Sequence, residues 1–153
     1  MKILISACLL GAHCRYDGGG TRQAWAEKLA ERHELVPVCP EQLGGLATPR
    51  EPAERLGDRV VTRSGADVTA AYRRGAEEAV TLAKLLGCQA AVLKERSPAC
   101  GRGVIYDGSF SHTRIPGDGV AAERLVQAGI PVYGESQAEA LLPGEESPAG
   151  KGP

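Results

Sequence analysis

The segment TAAYRRGAEEAVTLAKLLGCQAAVLK, residues 69–94, joins a long helix pattern to a short apolar strand pattern. Its first part predicts a strong helix that Asp67 or Thr69 caps and that Gly87 ends. The strand, Gln89–Lys94, has an Ala-Ala-Val-Leu core, and we expect this core to be buried on both faces. Strands buried in this way are typical of parallel sheets that helices cover on both sides.

The same alternation of strand and helix continues on either side of this segment. It predicts further strands at Lys2–Leu9, Glu34–Val38, Arg59–Arg63 and Ile130–Tyr133, and further helices at Arg22–Arg32, Gly119–Ala128 and Ser136–Leu142. Residues 107–119 have a turn-rich composition instead. Such alternation indicates a parallel sheet with right-handed crossovers. We therefore predict an α/β protein with a small, single-domain, three-layer Rossmann-like fold and a mainly parallel sheet.

Length and composition agree with one ordinary domain. The chain has 153 residues, 42% of them hydrophobic, and a formal net charge of −1. The charge excludes a strongly basic nucleic-acid binder and an acidic disordered chain as default interpretations. We expect the domain to occupy residues 1–142, and the Pro- and Gly-rich segment 143–153 to be a disordered tail.

The chain contains five cysteines and no CxxC pair, so neither a zinc ribbon nor a thioredoxin motif is indicated. The apolar run Ile3–Leu10 is too short to span a bilayer and shorter than a convincing signal-peptide core. We therefore predict a cytoplasmic protein. In that reducing compartment cysteines bind metal, do chemistry or fill core space, and rarely form disulfides.

Three of the cysteines follow predicted strands. Cys8 lies near the end of the first strand, Cys39 at the end of the second, and Cys100 in the loop after the third. Because ligands of open parallel sheets bind beyond the carboxyl ends of the strands, we expect these three thiols to converge. Three thiolates repel one another and need a cation, which an iron–sulfur cluster or zinc would supply. The alternative is that three small cysteines fill tight turns at this edge.

The other two cysteines have different surroundings. Cys88 lies between a helix end and a strand, where a free cysteine is usually part of the packing. Cys14 follows Cys8 by six residues and could be a fourth ligand, a sulfur acceptor or an ordinary loop residue.

Three segments, SACLLGAHCRYDG (6–18), VCPEQLGGLATPREPAE (38–54) and LKERSPACG (93–101), are specific in combination. In this order they resemble the bacterial 2-thiouracil desulfurase family, formerly a domain of unknown function. The resemblance extends from Met1 to about Leu142. It implies an oxygen-sensitive [4Fe–4S] cluster held by three cysteines, which match Cys8, Cys39 and Cys100 here.

The resemblance also implies a reaction. A thiolated uracil gives up its sulfur as hydrogen sulfide and receives oxygen from water, without net redox chemistry, while the open fourth iron binds the sulfur. Glu41 and Ser97 match the positions that handle protons and substrate, and Asp17 of CRYDG is a candidate substrate contact. Ala99 departs from the family, in which we expect Ser.

From the residues alone, simpler roles remain open. Glu41 could be a helix-start or turn carboxylate on the surface, Ser97 a turn or cap residue before Pro98, and Asp17 part of an ordinary Asp-Gly turn. A sulfur carrier with a persulfide on Cys14 or Cys100, and a zinc-binding structural module, are the alternative functions. The substrate could be the free base, a nucleoside or a thiolated tRNA, although the near-neutral charge disfavours a large RNA.

Overall fold

A computed structural model describes residues 1–142 as a four-stranded parallel sheet with helices on both faces and two small hairpins. The predicted tail, 143–153, lies outside the described residues. In chain order the strands are β1 (Lys2–Ser6), β2 (Glu34–Val38), β3 (Ala53–Leu56), β4 (Arg59–Thr62), β5 (Ala90–Leu93), β6 (Val104–Tyr106), β7 (Arg114–Pro116) and β8 (Val132–Gly134); the α-helices are α1 (Ala26–Arg32), α2 (Pro40–Leu43), α3 (Thr69–Leu86) and α4 (Val120–Gln127), and 3-10 helices span Ala7–Leu10 and Glu135–Leu141.

The sheet has the order β2-β1-β5-β8, and all of its neighbouring strands are parallel. Its two central strands are buried on both faces, and successive side chains enter different layers. Ile3 and Ile5 pack with Leu29 of α1, whereas Leu4 packs with the layer formed by α3 and α4. This alternation follows from the period of two along a strand. The three-layer α/β fold with a mainly parallel sheet is thus confirmed.

Three predicted element boundaries differ from the structure because of hydrogen bonds that the sequence pattern does not show. The first strand ends at Ser6 rather than Leu9, and a 3-10 turn then carries Cys8. The helix predicted from Arg22 begins at Ala26. The amides of Thr21 and Gln23 instead donate to the carbonyls of Cys8 and Leu9, which holds this stretch against the 3-10 turn.

The hairpins were only partly predicted. β4 is the strand expected at Arg59–Arg63, but its partner β3 was not predicted, and the turn-rich segment 107–119 contains β7.

The third boundary difference is in the last strand, which was predicted to begin at Ile130 and begins at Val132. The amide of Ile130 instead donates to the carbonyl of Leu125 and closes α4.

Two glycines let the short helix α2 lie directly against α3. A Cβ atom at Gly75 would stand 1.8 Å from the carbonyl oxygen of Pro40, and one at Gly44 would stand 2.0 Å from that of Ala71. Real Cβ atoms do not approach backbone oxygens this closely. The contact therefore requires glycine at both positions, and it fixes where the residue after Pro40 lies.

Replacing Gly75 with Ala should separate these helices. We expect the free energy of unfolding to fall by about 1–3 kcal/mol, the usual cost of overpacking, despite the higher helix propensity of alanine. Urea denaturation would measure this change. Glu78→Ala, at an exposed position of the same helix, should change stability by less than about 0.5 kcal/mol. Equal effects of the two substitutions would contradict the close contact.

Candidate active site

A cavity of about 360 Å³ opens at the carboxyl edge of the sheet. Cys8, Cys39 and Cys100 all line it, as expected from their positions after β1, β2 and β5. These three strands are adjacent in the sheet, so the segments that follow them share one edge. Cys14 lines the same cavity.

Burial makes the thiolate forms of Cys8 and Cys100 unfavourable by themselves. Desolvation raises the pKa of Cys8, against a lowering effect of the nearby Lys94 ammonium. It raises the pKa of Cys100 well above its usual value, a shift that the neighbouring Glu41 carboxylate increases and a hydrogen bond from Ser6 decreases. Several thiolates in this cavity therefore need a bound cation to offset their charge.

Glu41 lines the cavity from the start of α2 and is held by two side chains. The Tyr72 hydroxyl donates to its Oε2 atom at 2.6 Å, and the Arg50 guanidinium lies 3.0 Å from its Oε1 atom. Only 14% of the Glu41 side chain and 8% of the Arg50 side chain are exposed. Glu41 is thus an oriented, largely buried carboxylate. The alternative interpretation is right about its place at a helix start and wrong about its exposure on the surface.

Arg50 connects this carboxylate to the loop after β1. Its Nη2 atom also donates to the carbonyl of Cys14 at 3.1 Å, and the Cys39 thiol lies 3.6 Å from the same oxygen. The carboxylate and the Cys14 carbonyl therefore share one buried guanidinium as a support, and the Cys39 thiol contacts that same carbonyl.

Ser97 lines the cavity and also caps the turn that carries Cys100. Its hydroxyl oxygen accepts hydrogen bonds from the amides of Ala99 and Cys100, each at 3.0 Å. Since a hydroxyl has one donor in addition to its acceptor sites, the Ser97 proton can still be donated to another group. The cap interpretation is therefore correct and compatible with a role in the cavity.

Asp17 is not among the residues that line the cavity. Its carboxylate turns back on its own loop, where Oδ1 accepts a hydrogen bond of 2.9 Å from the amide of Gly19. The structure thus places it as the Asp-Gly turn that its sequence indicates, and does not bring it to the other site residues. Cys88 packs in the core layer of α3 and likewise lies outside the cavity lining.

Comparison with known proteins identifies the family. The sequence profile described as 2-thiouracil desulfurase matches residues 3–137. The chain belongs to the 2-thiouracil desulfurase family. A solved structure described as the [4Fe–4S]-dependent thiouracil desulfidase TudS is 46% identical, with a TM-score of 0.87, over 92% of this chain and 94% of that one. The uncharacterized protein YbbK of Bacillus subtilis (strain 168) is 43% identical over 150 residues, 92% of this chain and 99% of YbbK.

The donor set of this desulfurase family member fits an iron–sulfur cluster. Three cysteines provide soft sulfur ligands, which iron–sulfur clusters prefer. They line one cavity, and within residues 1–142 no group of three or more His, Cys, Asp and Glu side chains is arranged to hold a single metal ion. A tetrahedral zinc would need its thiolates about 2.3 Å from one centre.

The departure from the family at position 99 does not alter the cavity wall. Ala99 is buried, with 1% of its surface exposed, and it is not one of the lining residues. Its methyl group packs in the same core layer as Cys100.

Several site residues of this desulfurase were not predicted. Arg50 lies inside the segment 38–54 that carries the family resemblance, so its position was a usable signal. Tyr72 lies on the face of α3 against α2, and nothing local in the sequence distinguishes it. A further part of the lining, which includes Glu54, Tyr106 and Phe110, comes from the two hairpins.

No helix of residues 1–142 is long and apolar enough to cross a membrane.

Proposed function

We propose that this protein removes sulfur from a thiolated uracil and that Cys8, Cys39 and Cys100 hold a [4Fe–4S] cluster. The observation that carries the proposal is the meeting of these three cysteines with the buried Glu41 carboxylate in one cavity at the sheet edge. Family membership and the likeness to a [4Fe–4S]-dependent thiouracil desulfidase support it.

When bound, the cluster would supply a Lewis-acid iron without a protein ligand, suited to a soft sulfur atom. In the overall reaction, water forms a carbon–oxygen bond at the thiocarbonyl carbon and the carbon–sulfur bond breaks. Uracil and hydrogen sulfide result, and no electrons are exchanged.

Glu41 is suited to take the proton of the attacking water. Tyr72 and Arg50 each contact one of its oxygens, which orients the carboxylate and leaves acceptor positions on both atoms. A positioned general base contributes about 10²–10⁴-fold to a rate. Ser97, with its hydroxyl proton free for donation, is suited to orient the water or the pyrimidine.

The cavity size supports a small substrate. About 360 Å³ lies near the lower end of the volumes that bind small molecules, roughly 300–1,000 Å³. A cluster held by the three lining cysteines would take up part of this volume, so the remaining space favours a substrate group of about the size of one pyrimidine base. We infer that the base enters the cavity, whether it comes as a free base or as part of a nucleoside or tRNA.

We infer a reducing, cytoplasmic location, because all five cysteines are free. We also infer that residues 1–142 form the desulfurase domain.

The sulfur-carrier alternative finds less support. A carrier needs an accessible thiolate. Cys14 and Cys100 are both buried, and desolvation together with the neighbouring Cys39 raises the pKa of Cys14 to about 12.

Anaerobic purification tests the proposed function. We expect about four irons and four sulfides per chain, and release of uracil and sulfide from 2-thiouracil over many cycles. A colourless protein with one zinc per chain would refute the cluster. A protein that releases a single equivalent of sulfur would be a carrier and not an enzyme.

A further inference from the structure

The cavity is lined by aromatic side chains that the proposed chemistry does not use. Tyr16, Tyr106 and Phe110 all contribute to the lining, in a chain with only four Tyr, one Trp and one Phe. Tyr16 lies in the loop after β1, whereas Tyr106 and Phe110 belong to the β6–β7 hairpin and its connecting loop, residues 107–113. We call these three residues the aromatic wall.

One buried carboxylate holds the loop that carries Phe110. Glu54 of β3 is 9% exposed, and its Oε1 atom accepts hydrogen bonds from the amide of Gly108 at 3.0 Å and from that of Phe110 at 3.1 Å. Hydrogen bonds to an ionised acceptor are stronger than neutral ones. Glu54 thus fixes the backbone at the residue that enters the cavity.

The loop backbone needs such support. Phe110 has a φ of +59° and His112 a φ of +61°. Side-chain-bearing residues rarely adopt positive φ, and such conformations persist only where the surroundings impose them. Two ring contacts add to the restraint: the Arg63 guanidinium lies 5.6 Å from the centre of the Phe110 ring, and the Tyr106 and His112 rings meet edge to face at 6.0 Å.

We propose that the aromatic wall receives the flat pyrimidine ring of the substrate, with Phe110 as a binding residue and Glu54 as its positioning residue. The inference rests on the proposed function and deepens it, because it names the residues that bind the ring of the substrate. Planar heterocyclic thiocarbonyl compounds stack on aromatic side chains, and puckered or aliphatic ones do not.

Uracil and 5,6-dihydrouracil provide a matched pair of ligands. They have the same carbonyl and N–H groups, but the saturated C5–C6 bond makes dihydrouracil puckered and non-aromatic. Calorimetry on the anaerobically prepared, cluster-loaded protein should show that uracil binds about tenfold more tightly, on the scale of one base–aromatic stack. Equal affinities, or binding of neither ligand, would overturn the proposal.

Two pairs of variants test whether Phe110 and Glu54 cause the preference for uracil over dihydrouracil. Phe110→Ala should bring the ratio of the two dissociation constants close to one, whereas Phe110→Tyr keeps the ring and should keep the ratio. Glu54→Ala should reduce the ratio about threefold or more, whereas Glu54→Gln retains an acceptor oxygen for both amides and should preserve it. If these residues were merely structural, their substitution would weaken the binding of both ligands equally and leave the ratio of the dissociation constants unchanged. That result would refute the assignment.

Binding does not require turnover, so this experiment is independent of the proposed reaction. If the protein prefers uracil but releases no sulfide from 2-thiouracil, the proposal for the aromatic wall holds and the desulfurase proposal is refuted. A protein that desulfurates 2-thiouracil but does not distinguish uracil from dihydrouracil refutes the aromatic wall alone.

Discussion

Cys39→Ser, purified without oxygen, is expected to contain almost no iron and to lack the broad absorption of an iron–sulfur cluster near 400 nm. Serine offers a hard hydroxyl that stays protonated at neutral pH, and iron–sulfur clusters require soft thiolates. Because the proposed cluster has three protein ligands in total, the substitution leaves it with two. We expect the same result for Cys8→Ser and Cys100→Ser, since all three residues border the same cavity. Iron and acid-labile sulfide per chain are the quantities to measure.

Two other cysteines serve as matched controls for this experiment. Cys88→Ala should keep its full iron content, because Cys88 packs in the core away from the cavity lining. Cys14→Ala tests the ligand count, since Cys14 lines the cavity but is not one of the three proposed ligands. Full iron in any of the three serine variants, or loss of iron in Cys14→Ala, would show that the ligand set is wrong. Thermal unfolding of each variant distinguishes lost iron from a lost fold.

The fold and the convergence of the cysteines could be predicted because both depend on local pattern plus one topological rule. A buried run such as Ala90–Leu93 after a helix indicates a parallel strand, and parallel strands end at a common edge. Cys8, Cys39 and Cys100 each follow such a strand, so their meeting needed no knowledge of long-range packing. The fold class and the family are both confirmed.

The side chains that hold Glu41 could not be predicted from strand patterns and sheet topology. Its contact with Tyr72 exists because Gly44 and Gly75 let α2 approach α3, and such a close approach is a property of tertiary packing. A glycine inside a helix pattern was the only hint in the sequence.

The two hairpins differ in how well the sequence could predict them, because only one contains a recognisable turn motif. Leu56 pairs with Arg59 across the two-residue turn Gly57-Asp58, a dipeptide that favours hairpins. The β6–β7 pair has strands of only three residues around a seven-residue connection, too short for a periodic pattern. Tyr106 and Phe110 were therefore not part of the predicted site. Tyr16 and Glu54 were not predicted either, although they lie inside the segments 6–18 and 38–54 that carry the family resemblance.

Glu41→Gln should retain the cluster and lose about 10²–10⁴-fold in turnover of 2-thiouracil, the contribution of a positioned general base. The amide is close in shape to the carboxylate and can still accept a hydrogen bond from the Tyr72 hydroxyl. It cannot take a proton from water at neutral pH. Anaerobic assays of sulfide and uracil, normalised to iron content, measure the loss in the chemistry itself.

The substitution also removes the negative partner of Arg50, a buried guanidinium 3.0 Å from Glu41 Oε1. An unpaired buried charge is destabilising, so the thermal midpoint of the variant should fall. A fall in stability alone would lower the amount of folded, iron-loaded protein but not the rate per cluster. Glu78→Gln, at an exposed carboxylate of α3, should change neither quantity. A normal rate per cluster in Glu41→Gln would refute the role of Glu41 as the base, whatever happens to the stability.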